Sequence, residues 1–90
     1  MNKLETKIEW ESQAKKKYED MISRIPLFHR EIAKTVVHKR AIILAKERGA
    51  SQVEEQDIIR AFLKEVPMTF YSLLVRLFID VGFDYKKYEK

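Results

Sequence analysis

Residues 25–49 read IPLFHREIAKTVVHKRAIILAKERG, with no proline after Pro26 and no glycine before Gly49. Nothing in that stretch interrupts a helix, so it is predicted to run for about six turns at about 3.6 residues per turn. Placed at 100° steps, its apolar residues fall on two faces, one holding Phe28, Ile32, Val36 and Ile43 and the other Ala33, Val37, Ala41 and Leu44. A helix wet on one side needs a single stripe, so two stripes call for neighbours on both sides. Glu31, Lys34 and His38 mark the one freely solvated arc. Arg40 falls between the apolar faces, where a structural clamp to Glu47 or Asp57 is expected to hold it; the functional alternative is a partner's carboxylate or phosphate.

The flanking segments fit a small all-α domain built on this shaft. Before it, Ala14, Tyr18, Met21, Ile22 and Ile25 recur at three and four residues, predicting an amphipathic helix over 12–24 that folds back on the shaft as a hairpin. Further upstream, residues 3–10 alternate polar and apolar, as an extended arm or edge strand does; such a strand must pair across a dimer or lie against the helices. Gly49 suits a helix stop behind Lys46 and Arg48. Ser51 with Glu54 reads as a capping box opening a third helix, whose inner face is Ile58, Ile59, Phe62, Leu63 and Val66 and which Pro67 ends. A fourth helix is predicted over 69–81, apolar nearly all round and stopped by Gly82, followed by a polar tail expected to fray.

Ninety residues make one domain, 1–90, with a helical core over 10–66 and the apolar helix and tail over 67–90. Cysteine is absent, which removes disulfides, thiolate zinc sites and iron–sulfur ligation by this chain. The net charge of +4 allows an acidic partner without requiring one. No apolar run approaches a membrane span, and the opening MNKLETKIEW is too charged for a signal peptide, so a cytoplasmic protein with no membrane partner is expected.

The sequence offers little catalytic chemistry. His29 and His38 stand nine residues apart, on opposite sides of the shaft, and a pairing of Glu31 with His38 lacks two further ligands, so no metal site is expected. Two glycines cannot make a phosphate-binding loop, and Glu54 with Glu55 is explained by a helix N-terminus. No catalytic residue and no cofactor is assigned. Arg30 reads equally as a solvated helix-start residue or a binding one, and Trp10 as a seal on the first hairpin rather than a stacking platform.

Several positions together resemble a known family: Trp10 with Ala14 four residues on, the Ile25-Pro26-Leu27-Phe28 turn followed by Arg30, then Ala45-Lys46-Glu47-Arg48-Gly49 and Val53-Glu54. Over residues 10–64 they look like the helical domain at the C-terminus of the B subunit of light-independent protochlorophyllide reductase. The resemblance implies a fold and an accessory role, because in that enzyme the redox chemistry belongs to iron–sulfur clusters and a nitrogenase-like core. A second likeness is to the histone fold, in a helix, long helix, helix arrangement with Val53, Asp57 and Ile58 after the central helix. That likeness implies a dimer which binds DNA, here through Lys15, Lys16, Lys17, Lys34, Lys39 and Arg48.

The function expected is therefore a non-enzymatic interaction module, self-associating as a dimer or docking on a larger protein. The alternatives are the DNA-binding dimer and a binder of a flat apolar ligand such as a tetrapyrrole. Tyr71, Val75, Ile79 and Phe78 are the interface candidates, because so small a chain has little interior in which to hide a helix apolar on all sides.

Overall fold

Four helices carry the chain in the computed structural model, which describes residues 8–88. Strand β1 (Glu9–Trp10) leads into helix α1 (Ser12–Ser23), then helix α2 (Leu27–Glu47), strand β2 (Gln52–Val53), helix α3 (Glu55–Glu65) and helix α4 (Tyr71–Val81). Short 3₁₀ turns at Met68–Phe70 and Tyr85–Lys87 bracket α4. This is the small all-α domain with a long central helix that the sequence predicts. No helix among the described residues is long and apolar enough to cross a membrane.

Local chemistry sets the boundaries. Glu11 caps α1 by accepting from the Ala14 N–H at 2.7 Å, and Pro26 stands immediately before α2, where its missing N–H leaves no bond unmade. At the other end of α2, Gly49 adopts φ +73°, the Gly49 N–H donates to the Lys46 carbonyl and the Ala50 N–H to that of Ala45, both at 3.0 Å. These are the two bonds of a Schellman stop. The same stop closes α4 at Gly82, φ +88°, and there the next residue, Phe83, packs edge-on against Phe78. Pro67 holds Val66 extended and ends α3.

The strand pair corrects the expectation for the N-terminal arm. Glu9 and Trp10 lie parallel to Gln52 and Val53 of the same chain, and the Glu11 N–H extends the ladder to the Val53 carbonyl at 2.8 Å. The partner missing from a helical reading is thus the linker after α2. Residues 3–7 of the alternating segment lie outside the described residues. The first of the two cap residues also shifts: Ser51 is exposed and Glu54 is the N-cap of α3, its N–H donating to Asp57 Oδ2 at 2.8 Å.

The core sits where α2 meets α3. Val37, Ala41 and Ala45 are fully buried at four-residue spacing, and two alanines there let Ile58, Ile59, Ala61 and Phe62 of α3 come close. Tyr18 and Met21 of α1 and Leu74, Leu77 and Phe78 of α4 complete it, with Phe62 lying between the rings of Tyr18 and Phe78. Phe78, an interface candidate in the sequence, is a core residue. Its ring also stacks on Tyr85, with centroids 5.6 Å apart, so the start of the tail is packed down rather than frayed.

One ion pair fixes the elbow between α2 and α3. Arg48 donates from Nε to Asp57 Oδ1 and from Nη2 to Asp57 Oδ2, both at 2.8 Å, and again from Nη2 to Glu54 at 3.1 Å. Asp57 is 1% exposed and takes its third bond from the Glu54 N–H. The clamp expected between Arg40 and Glu47 or Asp57 does not form, because Arg48 occupies Asp57. Arg40 bonds Glu65 Oε2 instead, at 2.7 Å, because Glu65 ends α3 beside it, whereas Asp57 is already taken. Glu47 is exposed and is not the partner of Arg40.

These placements set an order for two substitutions. Arg48→Ala strands a buried carboxylate and should cost about 3–5 kcal/mol, a large share of a small domain's stability. Arg40→Ala breaks a more exposed pair and should cost about 1 kcal/mol or less. Urea melts of the two variants measure both, and equal losses would mean that the elbow is not the stronger constraint.

Candidate functional site: an apolar groove beside the central helix

The N-terminal half of α2 contributes no fully buried residue; all three of the helix's buried positions are at Val37 or beyond. Leu27, Phe28 and Ile32 are instead 73%, 87% and 68% exposed. Between this half-helix and the turn leading into α4 runs an open groove of about 440 Å³. Ile32, Ala33 and Val36 form one wall, Val66, Phe70 and Leu73 the other, and Phe62, Leu74 and Leu77 lie along it from the core side.

The groove follows from the helix boundaries. Both prolines of the chain, Pro26 and Pro67, line it, and each fixes a turn that sends the backbone past the groove rather than across it. Arg30 braces the first turn, donating from Nε to the Ile25 carbonyl at 3.2 Å and from Nη2 to the Ser23 carbonyl at 2.9 Å. Arg30 thus serves neither solvent nor a ligand, the two roles the sequence offers it, but holds carbonyls of the last residue of α1 and of the turn that follows. Polar groups in the lining are few: His29, whose ring lies near those of Phe28 and Phe70, and Glu65, held by Arg40.

Of the interface set, Ile79 is 62% exposed, Tyr71 and Val75 are half-buried, and Phe78 lies in the core. The exposed apolar surface is therefore concentrated on α2 and the α3 to α4 turn, with Met68 79% exposed there, rather than on a stripe of α4. Of the nucleic-acid set, Lys15, Lys16, Lys34 and Lys39 are exposed on α1 and α2. Lys17 donates to the Gly82 carbonyl at 3.1 Å and pairs with Glu55, and Arg48 is committed to Asp57, so these two serve packing. Among the described residues no three His, Asp or Glu side chains converge as a metal site.

On the opposite flank, Trp10 stacks on His38 at 4.9 Å and tilts against Tyr18 at 5.2 Å, forming the seal over α1 and α2 that the sequence suggested. His38 stays exposed on the solvated arc, with Glu31 and Lys34, and has one ring face against Trp10. Burial pushes Tyr18 up to about 12, with Glu19 adding to the shift. Partial burial, and then Lys34, hold His38 below its ordinary 6.5.

Residues 3–90 match the model described as protein of unknown function DUF2621. The chain belongs to that family. Neither the curated proteins nor the solved structures contain a significant match to it. For this DUF2621 member, then, the groove and the packing around it carry the functional reading.

The His38 shift has a definite pH consequence. A folded-state value below 6.5 means that the unfolded chain binds the proton more readily, so the contribution of neutral His38 is present above pH 6.5 and lost as pH falls below it. Thermal midpoints should drop on acidification through that window, and His38→Gln should flatten the drop. An identical slope in the variant would contradict this assignment.

Proposed function

We propose that the chain is a non-enzymatic protein-interaction module whose docking surface is the groove and the exposed half of α2. The observation that carries this reading is a preformed apolar groove lined by the exposed Ile32, Phe70 and Leu73, with the exposed Leu27, Phe28 and Met68 beside lining residues in the chain. Contiguous surface of this kind is uncommon on a free monomer and marks interaction sites. The mode it suits is helix-in-groove, in which apolar anchors of one partner enter a cleft between helices of the other.

Alternative occupants are less well matched. The volume lies within the range of small-ligand pockets, as a flat apolar molecule such as a tetrapyrrole requires. Such a molecule inside the groove leaves Leu27, Phe28 and Met68, which stand outside its lining, still in water. A protein surface covers both. The resemblance of residues 10–64 to an accessory domain of protochlorophyllide reductase agrees with a docking role, as does the mixed charge of the remaining surface.

The test is site-specific photocrosslinking in cells. A benzophenone amino acid in place of Phe28 or Leu73 should give a discrete protein adduct, and one in place of Lys16, on exposed α1, should give none. Adding Ile32→Glu to the Phe28 probe should abolish the adduct while changing stability by only about 0.5 kcal/mol, the usual scale for an exposed position. Absence of any adduct at Phe28 and Leu73 contradicts the reading.

A further inference from the structure

We infer that the partner seated on this groove is a second copy of the same chain, in an isologous dimer in which Phe28 of each copy enters the groove of the other; this rests on the reading of the groove as a docking surface. A two-fold interface uses one patch on both subunits, so the patch must hold a projection and its complementary recess together. Here they are neighbours. Phe28 is 87% exposed in the first turn of α2, while His29, Ile32, Ala33 and Val36 of the same helix line the recess. One surface therefore supplies both the anchor and the pocket.

Area and charge point the same way. Taken together, the exposed fractions of Leu27, Phe28, Ile32, Met68, Phe70 and Leu73 leave on the order of 800 Å² of residue surface, about what each partner contributes to a standard-size interface. The groove's one carboxylate, Glu65, is neutralised by Arg40 at 2.7 Å, and none of the six exposed residues is charged. A copy carrying the same net charge of +4 meets no like charge at the centre of such a face. A buried aromatic at the centre of an interface is also the usual site of concentrated binding energy.

Sedimentation equilibrium of the purified full chain, read beside the crosslinking above, tests the inference. The wild type should sediment as a dimer, Phe28→Glu should raise the dissociation constant at least about 100-fold, the effect of losing a hot-spot anchor, and Ile79→Glu should leave it unchanged. Circular dichroism must show all three equally helical; if Phe28→Glu is not, Phe28→Ala serves in its place, with the same shift expected. A folded monomeric wild type, or a dimer indifferent to both Phe28 variants but broken by Ile79→Glu, overturns the second copy as partner. If the wild type is monomeric while the Phe28 crosslink yields an adduct with a different protein, the docking reading survives and only this inference fails. If neither a dimer nor an adduct forms, both fail.

Discussion

A mismatch of length governs this molecule. Helix α2 has 21 residues and spans about 31 Å, whereas α3, the helix packed along it, has 11 and spans about 16 Å. Only the distal half of the shaft can be covered by α3, and that is the half in which Val37, Ala41 and Ala45 are buried. The Arg48 to Asp57 pair and the Gly49 stop pin α3 against that end, which prevents it from sliding toward the uncovered half. Everything at the other end of α2 follows from this anchoring.

A chain of 90 residues has little apolar surface to spare for an interior. It nevertheless leaves six large apolar residues in water around one groove, in a segment braced by two prolines and by Arg30. Burying that face on a partner contributes roughly 25 cal/mol per Å² before the costs of association are met.

Most of the architecture was legible because it depends on local signals. The stripe of Ala14, Tyr18, Met21 and Ile22, the uninterrupted shaft, the two glycine stops and Pro67 each act within a few residues of where they stand. What could not be read is which of several candidates meets which. Periodicity placed Phe28 and Ile32 on an apolar face as surely as Val37, but it carries no information on how far a neighbouring helix reaches. The same blindness separated Arg40 from Glu65, 25 residues away, and the Trp10 strand from Val53. Asp57 pairs with Arg48 and not with Arg40, and sequence alone does not separate the two, because an arginine at a helix end looks alike as a structural clamp or as a DNA contact. Phe78 was misassigned for a related reason, since a helix apolar all round does not declare its inner side. The family match places the whole groove within DUF2621, over residues 3–90, without naming what fills it.

The central claim, that the exposed half of α2 is covered in solution by a second copy of the chain, is tested most directly by the solvent accessibility of isoleucine methyls. Ile32 and Ile79 are 68% and 62% exposed in the single chain, so a soluble gadolinium chelate should broaden their NMR signals alike if nothing covers either. An interface on the groove face predicts that the Ile32 methyl is protected while Ile79 is broadened, and that dilution restores the broadening at Ile32. Equal broadening of both at every concentration would contradict a self-associating groove face.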